Sequence, residues 1–256
     1  MIQNKIIRNN RIFFIFLLTV IFGVFVFAFT AHAEFVVSVY GGVADTLDTD
    51  VKLSQPGGTD LTFSDVSWTD KSFEGPIYYG LRLNYWFKES NGWGVGVDFT
   101  HAKMYAELDD TVNVSGTRAG APVAGAEPLR NTFQELTFSH GYNLFTFNGM
   151  YRWFPNGVRD DTFLGRLQPY VGLGLGIAVP HVEIEINGDR TEEYQYTGPA
   201  FQGLGGINFD VYKKFSLFME YKLTYSDMDA DLTSGGSVEV EPWTNHFIFG
   251  LSYSFR

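Results

Sequence analysis

From residue 35 onward, apolar and polar residues alternate with a period of two in eight separate segments. Successive side chains of a strand point to opposite faces, so each segment predicts a strand with one apolar face. The first runs from Phe35 to Ala44, with Phe35, Val37, Val39 and Val43 on one face. The second, Ile77 to Lys88, sets Ile77, Tyr79, Leu81, Leu83, Tyr85 and Phe87 against Tyr78, Gly80, Arg82, Asn84 and Trp86. Glu89-Ser-Asn-Gly92 reads as a hairpin turn, and a third strand returns with Trp93, Val95, Val97 and Phe99 on its apolar face. Leu136 to Phe154, Tyr170 to Val179 and Ala200 to Val211 supply three more, and Phe215 to Tyr225 follows the tight turn Tyr212-Lys-Lys214. In the last, Thr244 to Arg256, Phe247, Phe249, Leu251, Tyr253 and Phe255 alternate with His246, Ile248, Gly250, Ser252 and Ser254.

In a soluble sandwich, the competing fold, the apolar faces would turn inward. Here their aromatic residues cluster near strand ends, as girdle residues do, and no charge sits mid-strand in the apolar phase. A midplane Arg or Lys facing lipid would cost roughly 2–4 kcal/mol. The predicted fold is therefore all-β: an eight-stranded antiparallel transmembrane β-barrel with long extracellular loops. The connections after strands two, four and six are short or moderate, and those after one, three, five and seven are long. That asymmetry and the even count place both termini in the periplasm. Strand character between Val51 and Trp68, around Gln55-Pro-Gly-Gly-Thr59, predicts a hairpin extended above the membrane; ten strands is the alternative. The final strand, aromatic next to last before Arg256, resembles the C-terminal signature that assembly machinery reads in bacterial outer-membrane barrels.

The first 33 residues predict a cleaved secretory signal, leaving residues 34–256 as the barrel. Lys5, Arg8 and Arg11 form a basic region, an apolar run follows from Ile12 to Thr30, and Ala31-His-Ala33 is a small-x-small cleavage site. The same run is long enough to span a bilayer as an uncleaved helix. There is no cysteine, which excludes disulfides and thiolate ligands or nucleophiles. The net charge is −11, and −14 without the three signal cations, which argues against nucleic acid as a partner. The acids fall in the predicted outer loops, as Asp45, Asp48, Asp50, Glu183, Glu185, Asp227, Asp229 and Glu239 show. They predict either a solvated rim or divalent-cation binding that bridges to lipopolysaccharide phosphates.

Arg82, Asp98, Glu220 and Lys222 all fall near mid-height in the inward phase. Eight strands enclose only enough room for side chains, and isolated buried charge is costly. These four predict a salt-bridged plug, not an open pore. The glycine row Gly172, Gly174 and Gly176 predicts space for bulky inward groups such as Trp86 or Phe218. Four histidines outside the signal, His101, His140, His181 and His246, fall at strand ends predicted to face outward. They predict scattered rim residues or a shared site. For a shared site the catalytic candidates are His140, His181, Glu183 and Tyr142, and a divalent metal would be held by His140, His181 and His246. Lys103, Tyr194, Tyr196 and Glu220 are neighbouring candidates.

Several runs resemble one family of small outer-membrane barrels, the lipid A oxidases of rhizobia and their relatives. They are Gly92-Trp-Gly-Val-Gly-Val-Asp-Phe-Thr-His-Ala-Lys103, Tyr142-Asn-Leu to Tyr151-Arg-Trp153, Pro169-Tyr-Val-Gly-Leu-Gly-Leu-Gly-Ile-Ala-Val-Pro-His-Val-Glu183, Glu193-Tyr-Gln-Tyr-Thr-Gly-Pro-Ala200, and Glu220-Tyr-Lys-Leu-Thr-Tyr225 with Thr244-Asn-His246. The most particular are Ala178-Val-Pro-His-Val-Glu183 and Tyr194-Gln-Tyr-Thr-Gly-Pro199. The resemblance implies oxidation, by molecular oxygen, of the proximal glucosamine of lipid A to aminogluconate. It implies no set of catalytic residues. No flavin or nicotinamide motif is present, so a rim metal would have to supply the redox group. Lipopolysaccharide is then the expected partner of a monomeric barrel. The alternative is a non-enzymatic barrel: an adhesin, a surface-recognition protein or a membrane stabiliser. A small porin, a lipid A deacylase and a palmitoyl transferase complete the readings.

Overall fold

The computed structural model describes residues 33–87 and 92–255. The signal segment, most of the turn at Glu89-Ser-Asn-Gly92 and Arg256 lie outside the described residues. Among the described residues, seventeen strands fall into two sheets. Eight of them close a ring: β1 (Ala33–Thr46), β5 (Tyr79–Phe87), β6 (Trp93–Ala106), β9 (Glu135–Arg152), β10 (Leu167–Ala178), β13 (Gly198–Tyr212), β14 (Phe215–Ser226) and β17 (Trp243–Phe255). Each pairs antiparallel with the next, β6 with β9, and β17 returns to β1 from Phe35↔Phe255 to Thr46↔Thr244. The ring therefore has eight strands, not ten, and leaves no open edge at membrane depth, where an unpaired backbone group would be costly.

The alternation decides which face is which. Leu81, Val97, Phe147, Leu173, Leu175, Leu217 and Phe249 point outward and are exposed, while Arg82, Asp98, Asn148, Lys222 and Ser252 point inward and are buried. Aromatic rings pair at both ends of this belt, as at Trp93–Tyr151 (5.1 Å) and Tyr225–Trp243 (5.0 Å). Such an apolar girdle on a closed ring belongs in lipid. The protein folds as a transmembrane β-barrel of the outer-membrane type.

Inside, Arg82 donates to Glu220 (2.5 and 2.7 Å) and to Asp98 (2.9 Å). Lys222 donates to Asp98 and Thr100, both at 2.8 Å. Tyr40 donates to the second Asp98 oxygen at 2.7 Å, and Tyr170 donates to Glu220 at 2.8 Å. Two cations thus meet two anions at mid-height, and the lumen is plugged there.

Large inward rings lie over glycines of a neighbouring strand: Tyr40 over Gly80, Trp86 over Gly94, Tyr170 over Gly206 and Phe218 over Gly250. The predicted row makes room for inward groups other than Trp86 and Phe218. Gly172 and Gly174 make room for Leu204, Asn148 and Gln202, and Gly176 lies against the Phe145 backbone. Overpacking costs about 1–3 kcal/mol. Gly250→Ala, whose added methyl would strike the Phe218 ring, should lower the barrel's gel-shift melting temperature accordingly.

The remaining strands are β2 (Thr49–Gln55), β3 (Thr59–Val66), β4 (Trp68–Thr69), β7 (Thr111–Arg118), β8 (Ala121–Pro128), β11 (His181–Ile186), β12 (Asp189–Tyr194), β15 (Met228–Asp231) and β16 (Ser237–Val240). Segments of three long loops pair in the order β15-β16-β2-β3-β7-β8 into a second, six-stranded sheet. The hairpin expected between Val51 and Trp68 forms as β2–β3 and lies in the middle of that sheet, while Trp68 pairs with β6. One face buries Val51, Leu53, Leu61, Phe63, Val114, Val238 and Val240. The cap core also takes Met104, Phe133, Leu136, Phe138 and Ile184, with Phe63 edge-on to Phe133 at 5.3 Å. The other face carries the charges, including Lys52 and Glu239 at 3.3 Å.

Candidate functional site

Two irregularities bring the site together. The β6–β9 ladder runs in register to Ala102↔Tyr142 and resumes at Met104↔Phe138. Lys103 alone therefore opposes Ser139, His140 and Gly141. Gly141 sits at φ 133°, a conformation that L side chains rarely adopt. A bulge of this kind re-aims side chains, and here it presents His140. The second irregularity is Pro180, which lacks an N–H to continue the β10 ladder. The chain leaves the barrel there and enters the β11–β12 hairpin at His181. That hairpin turns on Asn187-Gly188, both at positive φ. The turn sets the register His181↔Tyr194, Glu183↔Glu192 and Glu185↔Arg190, while Glu183 also faces Thr137 of β9.

Three donor groups converge on one point. His140 Nδ1 lies 2.5 Å and His181 Nδ1 2.9 Å from Glu183 Oε1. The ligand atoms of the three residues all lie within 4.8 Å of one another. Ser139 Oγ donates to the same carboxylate oxygen and lies 3.0 Å from His140 Nδ1. The two imidazoles meet edge to face at 5.1 Å, and Tyr194 packs on His181 at 4.7 Å while donating to the His140 carbonyl at 3.1 Å. Arg190 lies 3.2 Å from Glu135 and 4.0 Å from the second oxygen of Glu183. The His140 side chain is 60% exposed and that of Glu183 only 6%, so the site opens on the His140 side. Burial would raise the Glu183 carboxyl, but hydrogen bonds from Ser139, His140 and His181 outweigh it and hold the group below the usual carboxylate range. Glu135 shifts the other way: burial raises it, Arg190 opposes, and the neighbouring Glu183 adds to the rise.

Side-chain parity gives the site its direction. Val182, Ile184 and Ile186 are buried in the cap core, so His181, Glu183 and Glu185 lie on the outer face of the wall. Below them on that face come Asn143 and His101, and then Phe145, Phe99 and Ile177 of the apolar belt. At about 3.3 Å per residue, the cluster stands roughly 10 Å above the belt's upper edge. It faces outward, not into the lumen.

The other predicted site residues do not join it. Tyr142 lies on the inner face, fully buried, with its hydroxyl 2.6 Å from Ser226 Oγ. His246 is also fully buried, Nδ1 3.1 Å from the Tyr78 hydroxyl and Nε2 2.9 Å from Thr224 Oγ1. Both of its ring nitrogens are occupied, so the cluster holds two histidines and a carboxylate instead of three histidines. His101 stacks on Tyr79 at 4.7 Å and pairs with Asn143 at 2.9 Å. Tyr196 is exposed, and Lys103 is buried with Nζ on the Glu74 carbonyl at 2.9 Å.

Ser139, Glu135 and Arg190 belong to the site but not to the sequence expectation. Gly141 inside a strand was the signal for the bulge, and Asn187-Gly188 the signal for the hairpin register. Ser139 meets His140 through the nitrogen that also faces Glu183, so the relay of a serine hydrolase, which uses opposite ring nitrogens, is not formed.

No family model matches this chain, and no curated protein does. Among solved structures it is similar to Neisserial surface protein A (12% identity, 88% of this chain and 100% of that one, TM-score 0.39). It is similar to the outer membrane protein OprG from Pseudomonas aeruginosa (16%, 88% and 97%, TM-score 0.41). A third is Ail, the attachment invasion locus protein of Yersinia pestis, solved with the heparin analogue sucrose octasulfate (14%, 88% and 100%, TM-score 0.36).

Proposed function

We propose that this barrel oxidises the proximal glucosamine of lipid A to aminogluconate, using molecular oxygen. The observation that carries the reading is the outward cluster of His140, His181 and Glu183 just above the lipid belt. Lipid A fills the outer leaflet, so its acyl chains lie against Phe99, Phe145 and Ile177 and its sugars reach the cluster. The exposed faces of Tyr194 and Tyr196 suit a sugar ring, and Arg190 suits an anionic substituent.

The substrate must carry a free anomeric hydroxyl. Its O–H and C1–H bonds break, and two protons and two electrons reduce O2 to hydrogen peroxide, leaving the lactone. Water opens the lactone, so the sugar gains one oxygen atom in all. A redox metal bound by His140, His181 and Glu183 would supply the electron path. Glu135, beside the cluster but not a donor in it, takes the anomeric proton.

The test is mass spectrometry of lipid A from an aerated host whose lipid A lacks the anomeric phosphate. A species heavier by one oxygen atom should form with the parent protein, vanish without air, and vanish in His181→Ala. If no species gains oxygen, the oxidase reading fails. The folded cap favours one second reading, a surface-recognition protein, under which His181→Ala changes neither lipid A nor partner binding.

A further inference from the structure

We propose that His140, His181 and Glu183 form a mononuclear centre for a divalent first-row transition metal. The ligand atoms would be Nδ1, Nδ1 and Oε1. They come from two elements far apart in sequence, and each is aimed by a local device: the Gly141 bulge for His140, the Pro180 exit and Asn187-Gly188 turn for the other two. Two histidines and one carboxylate, with no cysteine in the chain, give a nitrogen–oxygen donor set of the kind that binds iron or zinc and leaves positions open.

The surroundings match a metal site's second layer. Metal-binding groups are held by further hydrogen bonds that orient them. Ser139 donates to Glu183, Tyr194 packs on His181 and donates to the His140 backbone, and Arg190 approaches the second Glu183 oxygen. Thr137, directly across the ladder from Glu183 on the same face, is buried, and its hydroxyl has no partner among the described residues. It would serve a metal-bound water. The open positions lie on the exposed side of His140, toward the outer leaflet.

The redox use of this centre rests on the oxidation proposed above; its existence does not. The experiment uses the full chain, purified in detergent, with folding checked by heat-modifiable gel migration, then stripped with a chelator and titrated with Co(II). One equivalent should bind and bring up visible ligand-field bands. His140→Ala, His181→Ala and Glu183→Gln should lose the bands while migrating as folded barrels. Ser139→Ala should weaken binding about 10–100-fold, and His246→Ala and His101→Ala should still take up one equivalent. If the parent shows no saturable band, or His140→Ala and His181→Ala titrate like the parent, the centre is overturned. A parent that binds Co(II) stoichiometrically yet leaves lipid A unchanged with any added metal supports the centre and overturns only the oxidase reading.

Discussion

Arg82→Met should lower the unfolding free energy of the barrel by about 3–5 kcal/mol, the cost of breaking a buried ion pair by removing one partner. Arg82 is only 2% exposed and contacts both plug carboxylates, Asp98 and Glu220. Without it Asp98 keeps Lys222 at 2.8 Å, but Glu220 keeps only the Tyr170 hydroxyl among the described residues. The effect is read as a drop in the temperature of the gel shift or in the urea midpoint. The variant Arg82→Met with Glu220→Met removes the orphaned charge and should recover most of the loss. A single variant as stable as the parent would show that water reaches Glu220 and that the plug is not dry.

The barrel was legible because its physics is local. Each strand carries its own alternation, and lipid forbids charge in the outward phase, so Leu81 and Arg82 declare their faces without reference to any partner. The plug followed from parity, since Arg82, Asp98, Glu220 and Lys222 share one phase and one height. The cap was not legible. Val51, Val114 and Val238 come from three loops, and nothing local in any of them names its neighbour. The site fell between these cases. His140, His181 and Glu183 were visible as chemistry, but parity does not place the residues inside a bulge. A straight strand gives His140 and Tyr142 one face; with the bulge at Gly141, His140 reaches the outer wall and Tyr142 stays inside. His246 misled for the opposite reason: its strand is regular, and regularity put it in the sealed interior.

Phe63→Ala should separate cap from barrel. Phe63 is fully buried on the inner face of the six-stranded cap sheet and packs on Phe133. Removing such a ring costs about 3–5 kcal/mol through lost transfer energy and the cavity left behind. None of the plug residues touches it, so the gel-shift temperature should hold while proteases cut the long loops. The site should suffer with the cap, because Glu183 is carried on β11, whose inner side chains Val182, Ile184 and Ile186 lie in the same core. Three ladder pairs, Glu183↔Thr137 to Glu185↔Glu135, join β11 to β9 of the barrel wall among the described residues. Co(II) binding and lipid A oxidation should therefore fall together in Phe63→Ala, in a protein whose barrel remains folded. Loop cleavage with Co(II) binding intact would mean that the β9 bulge and those three pairs hold the cluster by themselves, and that the cap shields the site without shaping it.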